Sequence, residues 1–129
     1  MLKVLSPRIH GFLDYAVVAL FALAPTLFGF GGPAATVAYV VAAIHLALTL
    51  LTAFPMGIVK AIPFKVHGML EVAALLGIAA APWLFGFADS TTPRNFYLAA
   101  AALIAGVVVL TNYHTTESER RTVGAPRHA

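Results

Sequence analysis

The chain has 129 residues, of which 60% are hydrophobic and 10% are charged, and its formal net charge is +3. A soluble domain carries about a quarter charged residues, so this chain has too little polar surface to cover itself in water. Its basic residues form no stripe, which argues against a nucleic-acid partner, and the absence of cysteine excludes disulfides, thiolate metal sites and cysteine nucleophiles.

The first apolar run covers residues 9–30 and follows Ser6-Pro7, a pair typical of a helix start. At 1.5 Å per residue it is long enough to cross a hydrocarbon core of about 30 Å. Its basic start and apolar centre also resemble a signal peptide. A similar segment occurs in the middle of the chain, where no signal peptide can lie, so we favour a permanent helix.

Three further apolar runs follow. The second, residues 34–54, begins after a predicted tight turn and contains one ionisable side chain, His45, near its middle. An irregular link leads to the third run, residues 65–87, and a polar turn precedes the fourth, residues 93–113. Residues 114–129 are polar, without apolar periodicity, and we predict that they form a disordered tail.

The third run repeats the first. Half of the positions agree when residues 66–87 are aligned with residues 9–30, so that His10 matches His67 and Asp14 becomes Glu71. The second and fourth runs also end alike, with Leu-Thr pairs at 51–52 and 110–111.

We therefore predict an all-α membrane protein with four transmembrane helices that arise from a tandem duplication of a helical hairpin. The four-helix domain covers residues 1–113, with repeat 1 at about 8–55 and repeat 2 at about 65–113. Basic residues favour the cytoplasmic side of a membrane. If four helices alternate, Arg94 lies on one side and the other basic residues lie on the opposite side: Lys3, Arg8, Lys60, Lys65, Arg120, Arg121 and Arg127. Both termini are then cytoplasmic, and a pseudo-twofold axis along the membrane normal relates the two copies.

The segment 81–87, APWLFGF, resembles the signature of the SPW-repeat family of small prokaryotic integral membrane proteins, with alanine in place of serine. The first copy reads Ala24-Pro25-Thr26 and lacks the tryptophan. The stretch from Gly57 to Glu71 is similar to two-copy members of that family. The resemblance covers about residues 7–113 and implies a four-helix domain in the prokaryotic plasma membrane, but no established activity.

Aromatic residues gather where the first and third runs end, and they predict anchors at the membrane interface. They are Phe28, Phe30, Trp83, Phe85 and Phe87.

Ionisable residues inside spanning helices cost about 2.5–3.5 kcal/mol each at the bilayer centre, which makes them candidates for function. His10 and Asp14 are four residues apart, as are His67 and Glu71, so each pair shares a helix face. If the two pairs converge, they form a zinc or iron site or a proton relay. The alternative, which we favour from sequence, is structural anchoring at a wet helix end. His45, which has no counterpart in the second copy, is interpreted as a packing or hydrogen-bonding residue.

The sequence contains no phosphate loop, nucleotide fingerprint or nucleophile and base pair. We expect a non-enzymatic scaffold or partner-binding subunit in the plasma membrane, in contact with lipid and with a second copy or another membrane protein. No cofactor is predicted, apart from the alternative metal ion at His10, Asp14, His67 and Glu71. The competing hypotheses are a small transporter or channel-like protein with a cytoplasmic-side proton, solute or metal site, and a membrane redox enzyme.

Overall fold

The computed structural model describes residues 4–113, which form four helices. They are α1 (Pro7–Phe28), α2 (Gly32–Leu50), α3 (Phe64–Leu84) and α4 (Thr91–Leu110). Each helix is long and apolar enough to cross a membrane. The predicted all-α fold with four such helices is confirmed, and it indicates a multi-pass membrane protein. The predicted tail at 114–129 lies outside the described residues.

Local chemistry sets both ends of α1. The Ser6 side chain accepts a hydrogen bond from the backbone N–H of Ile9 at 3.3 Å, and Pro7 occupies the first turn, where no N–H is needed. Gly29 ends the helix with φ 69°, a left-handed conformation that favours glycine, and its N–H bonds to the Pro25 carbonyl. A short turn then reverses the chain into α2.

The helices pack as two antiparallel hairpins, α1 with α2 and α3 with α4, with fewer contacts between the hairpins. An aromatic and small-residue core lies where α1 ends and α4 begins. Phe21 is fully buried there, and the Tyr97 hydroxyl donates to the Ala34 carbonyl at 2.7 Å. Alanines such as Ala38 and Ala101 line the inner faces and let the helices approach closely.

Large apolar side chains cover the outside of the bundle. Leu27, Met69, Leu76 and Leu84 are all more than 60% exposed. In water such a surface would be unfavourable, whereas in a bilayer it contacts lipid. The exterior therefore agrees with the length and hydropathy of the helices.

Short parallel pairings tie the ends of the helices together at the other end of the bundle. Strand β1 (Thr52–Ala53) pairs with β2 (Ile62–Pro63), which leads directly into α3. Similarly, Leu5 forms a parallel bridge with Thr111 just before α1 begins. Hydropathy gave no sign of these pairings.

The second apolar run, residues 34–54, is not helical to its end. α2 ends at Leu50 because the following residues form β1, and the Ile62 N–H donates to the Leu51 carbonyl at 2.8 Å.

Candidate metal centre

Five ionisable side chains meet inside the bundle, near the end where α1 and α3 begin. His10 and Asp14 come from α1, His45 from α2, and His67 and Glu71 from α3. None of them is more than 6% exposed. The structure thus brings together all five ionisable candidates of the sequence.

Each of the two histidines at a helix start faces both carboxylates. Nε2 of His10 lies 3.2 Å from Asp14 Oδ2 and 3.1 Å from Glu71 Oε2. Nε2 of His67 lies 3.0 Å from Asp14 Oδ2 and 3.4 Å from Glu71 Oε1. Each imidazole therefore approaches one carboxylate of its own helix and one of the other hairpin.

Two threonines fix which nitrogen of these histidines points inward. Nδ1 of His10 lies 2.7 Å from Thr111 Oγ1, and Nδ1 of His67 lies 2.8 Å from Thr52 Oγ1. Each hydroxyl already donates its only hydrogen to a helix carbonyl, that of Val107 or Leu48. The threonine oxygens must therefore accept from Nδ1–H, which leaves Nε2 facing the carboxylates.

The inward-facing atoms do not satisfy one another. Nε2 of His10, Nε2 of His67 and Oδ2 of Asp14 are buried without a hydrogen-bond partner among the described residues, although oxygens lie close to both nitrogens. A hydrogen bond needs the acceptor near the direction of the N–H bond. The two Nε2 atoms therefore lie beside the carboxylate oxygens without an aligned hydrogen bond to them.

The spacing of these atoms is slightly wider than that of a filled coordination shell. Ligand atoms about 2.1 Å from one ion lie about 3.0–3.4 Å apart when adjacent and about 4.2 Å apart when opposite. Donor atoms from His10, Asp14, His67 and Glu71 lie within 4.8 Å of one another. This buried group could hold a metal ion, and imidazole with carboxylate donors suits zinc or iron.

His45 is the fifth member of the cluster and comes from a third helix, α2. Its Nε2 lies 3.3 Å from Asp14 Oδ1 and 3.7 Å from Glu71 Oε1. His45, interpreted from the sequence as a packing or hydrogen-bonding residue, contacts Asp14 of α1. Because α2 ends at Leu50, His45 lies only five residues from the helix end, at the level of the carboxylates.

Aromatic rings cover the cluster. Phe54, Phe64 and Tyr113 all pack against His10 with ring centroids 5.2–6.5 Å apart. The Tyr113 hydroxyl donates a long hydrogen bond of 3.4 Å to Glu71 Oε2. Burial, and then the negative charges of Glu71 and Asp14, raise the pKa of Tyr113, so its hydroxyl stays protonated as a donor.

A small void of about 10 Å³ lies on the inner side of the cluster, between Asp14 and Glu71. Such a space accepts about one water molecule. Val17 and Ile104 close it towards the apolar core.

The predicted interface anchors differ in their positions. Trp83, Phe28 and Phe85 are about half or more exposed on the outside of the bundle, where they are able to contact lipid. Phe30 packs against Phe96 and is partly buried. The anchor prediction was wrong for Phe87, because its ring fills the core beside Tyr97.

Thr52 and Thr111 were not among the sequence candidates. A signal for them was present, because both occupy the same place in the matching Leu-Thr pairs that end the second and fourth runs. A polar residue repeated at the end of each apolar run indicates a shared contact, which here is a histidine.

No known protein family, curated protein or solved structure matches the chain.

Proposed function

We propose that the protein holds a divalent transition-metal ion, zinc or iron, inside its membrane-spanning bundle. His10, Asp14, His67 and Glu71 supply the ligands, with His45 as a fifth. The observation that carries this proposal is that Thr111 and Thr52 contact the outer nitrogens of His10 and His67, while the inner nitrogens have no hydrogen-bond partner within residues 4–113. Such an outer contact on a ligand histidine is usual in metal sites because it orients the ring.

The ion is a resident of the protein rather than cargo in transit. Beyond the cluster, the described core consists of packed apolar and aromatic residues, including Val17, Phe21, Ile78 and Tyr97. A transported cation needs polar groups or water along its path, because hydrocarbon solvates it poorly. The geometry therefore favours a fixed centre over the transporter considered from sequence.

The alternative to a metal ion is that the two imidazoles and the two carboxylates form two ion pairs. If both imidazoles carried two protons, each would balance one carboxylate, and the cluster would only pin the two hairpins together, as a scaffold requires. The orientation of Nε2 argues against this. In both His10 and His67, Nε2 faces the carboxylates but forms no aligned hydrogen bond with the described residues. Metal analysis separates the two possibilities.

The same contacts support the proposed duplication. The residue two positions before α1 and the residue two positions before α3 each pair with a residue that follows a helix of the other hairpin. Leu5 pairs with Thr111, and Ile62 pairs with Thr52. His10 and His67 contact the corresponding threonines in the same crossed manner. A pseudo-twofold axis between the hairpins accounts for both sets of contacts.

Membership of the SPW-repeat family, location in a prokaryotic plasma membrane and cytoplasmic termini belong to the same proposal. They are supported by the APWLFGF segment and by the distribution of basic residues. With this orientation, the centre lies near the cytoplasmic boundary.

Elemental analysis of the full chain, purified in mild detergent without chelator, tests the metal centre. We expect about one zinc or iron ion per chain. Replacement of both carboxylates, Asp14→Asn with Glu71→Gln, should remove the ion. Asp89→Asn is the matched control, because Asp89 is an exposed carboxylate in the turn between α3 and α4.

Cobalt(II) offers a second readout, since its visible absorption reports on the coordination geometry. Titration should give a saturable spectrum in the wild type and in Asp89→Asn, but none in the double variant. A folded wild type without stoichiometric metal and without a cobalt spectrum would contradict the proposal and leave the ion-pair scaffold.

A further inference from the structure

Two aromatic rings pack over the helix-start histidines, one from each hairpin. Phe54 and Tyr113 occupy the same place in the repeat, two residues after the threonine that ends each apolar run. The ring centroids of Tyr113 and His10 are 5.6 Å apart, and those of Phe54 and His67 are 5.7 Å apart. Each ring therefore contacts the histidine of the opposite hairpin in the same way.

Glycines make room for both rings. A Cβ atom added at Gly68 would lie 2.7 Å from the ring of Tyr113, and one added at Gly11 would lie 2.8 Å from the ring of Phe54. Both distances are too short for a real Cβ contact. Because each glycine directly follows a helix-start histidine, the two rings are seated equivalently in their own hairpins.

The two positions differ by one hydroxyl group. The Tyr113 hydroxyl donates to Glu71 Oε2 at 3.4 Å. Phe54 has the same kind of ring but no polar atom to offer to Asp14, the acidic residue of the other repeat. The two copies therefore share the packing of the ring and differ in whether it bonds to a carboxylate.

We propose that Tyr113 is a positioning residue of the metal centre, which holds the Glu71 carboxylate through its hydroxyl and makes the two acidic ligands inequivalent. The inference rests on the proposed function, because it assigns Tyr113 a role in metal binding. Tyr113 acts on the ion through Glu71 and not by direct contact.

The length of the side chain explains why Glu71 benefits from this contact more than Asp14 does. A glutamate side chain has one more rotatable bond than an aspartate side chain, so fixing its carboxylate costs more conformational entropy. A hydroxyl that already holds Oε2 reduces this cost when the ion binds. Carboxylate ligands of metals are themselves usually hydrogen-bonded, and losing such a partner weakens binding.

The alternative is that Tyr113 only fills space, as Phe54 does. Its ring packs against Phe64 with centroids 4.7 Å apart, and this contact does not need the hydroxyl. Tyr113→Phe therefore removes the hydrogen bond and keeps the packing. The first repeat shows that phenylalanine is accommodated in the equivalent position, so we expect the variant to fold.

Tyr15 offers a matched control. Its hydroxyl donates to the backbone carbonyl of Met56 at 2.8 Å, at the same end of the bundle. Tyr15→Phe thus removes a shorter hydrogen bond of another phenol, whose acceptor is the link between the hairpins and not a carboxylate of the cluster. A general loosening of this end of the bundle would affect both variants.

The test is titration of the full chain in mild detergent with cobalt(II), followed by visible absorption. We expect the dissociation constant to rise about tenfold in Tyr113→Phe, with a shifted spectrum because Glu71 is held differently. Both should be unchanged in Tyr15→Phe. In a Glu71→Asp background, Tyr113→Phe should cause no further loss, because the shorter carboxylate no longer reaches the hydroxyl.

Each result has a defined meaning. A wild-type dissociation constant and spectrum in Tyr113→Phe overturn this inference and leave the metal centre in place. Equal losses in Tyr113→Phe and Tyr15→Phe also overturn it, as does a loss from Tyr113→Phe that is as large in the Glu71→Asp background as in the wild type. A wild type that binds no cobalt contradicts the proposed function itself, and the role of Tyr113 in metal binding fails with it.

Discussion

Thr52 and Thr111 illustrate how much of the site depends on single hydroxyl groups. Each accepts from a histidine Nδ1 and donates to a carbonyl one helical turn earlier. Without the hydroxyl, the imidazole would be free to rotate or to place its proton on the other nitrogen. In the proposed centre, the threonines would therefore act on the metal through the histidines and not by direct contact.

We predict that Thr52→Val and Thr111→Val each lower metal affinity by about 10- to 100-fold, the usual effect of losing an outer contact on a ligand histidine. Competition with a metal-sensitive dye measures this affinity. Thr49→Val is the control, because Thr49 is equally buried and bonds to a helix carbonyl, but not to an imidazole nitrogen. Equal affinity in all three variants would contradict the assignment.

For single residues, the sequence predicted contacts between side chains four positions apart on one helix. It did not predict contacts between segments that are distant in the chain. The four-residue spacing of His10 with Asp14, and of His67 with Glu71, correctly places each pair on one helix face. The crossed contact of His10 with Thr111, 101 residues away, depends on how the hairpins pack. Helical periodicity contains no information about that packing.

At the scale of elements, the link between the hairpins holds Thr52 in place. Gly57 lies so close to this segment that an added Cβ would collide with the backbone carbonyl of Thr52. A backbone atom cannot move aside as a flexible side chain does. The link is thus a fixed part of the site, and its glycine is required for close approach.

We predict that Gly57→Ala destabilises the protein by about 1–3 kcal/mol, typical of overpacking, and weakens metal binding because Thr52 shifts. Thermal unfolding in detergent, followed by circular dichroism, measures the first effect, and the dye competition measures the second. Gly77→Ala should show neither change, since its Cβ enters open space. A stable Gly57→Ala with normal metal affinity would show that the link adapts.

The end of α1 offers a second prediction. Gly29 has φ 69°, where an added side chain costs about 1–2 kcal/mol, so Gly29→Ala should lower stability by that amount. Gly31→Ala is the comparison, because Gly31 has φ −127°, which any residue adopts. Similar melting temperatures for the two variants would contradict a structural role for the left-handed cap.

Helix positions were predicted well because long apolar runs have few alternatives in a membrane. Helix ends were predicted less well. The clearest example is the end of α2, the helix that carries His45. The apolar run that contains α2 continues to residue 54, whereas the helix itself ends at Leu50, just before β1 begins. The strand exists only because β2 lies beside it, which is a tertiary effect.

For the whole molecule, the centre adds polar contacts between hairpins that also share the apolar core around Phe21 and Tyr97. Asp14 from the first hairpin approaches His67 from the second, and Glu71 from the second approaches His10 from the first. An ion bound by all four residues would therefore link the hairpins directly. Metal binding and global stability should be coupled.

We predict that zinc at 100 times its dissociation constant stabilises the folded protein by about 2.7 kcal/mol, and that a chelator reverses the effect. The melting temperature with and without metal measures this. The Asp14→Asn, Glu71→Gln double variant should respond to neither treatment. A wild-type melting temperature that changes with neither metal nor chelator would contradict a metal centre shared by the two hairpins.

The orientation of the bundle is testable because the chain contains no cysteine. We expect single cysteines at Ile58 and at Asp89 to react with a membrane-impermeant maleimide from opposite sides of the membrane, with Ile58→Cys reached from the cytoplasm. Both positions are exposed in the structure. Labelling of both from one side would contradict four alternating crossings.

The division of ligands between the two hairpins has a consequence for biosynthesis. The ribosome delivers α1 and α2 to the bilayer before α3 exists, and at that stage only His10, Asp14 and His45 are present. The full donor set arises when the second hairpin inserts and docks. Maturation of the protein would then end with binding of the ion. A cell starved of that ion would accumulate inserted chains whose hairpins are not linked by metal, and quality-control proteases would degrade such chains more readily.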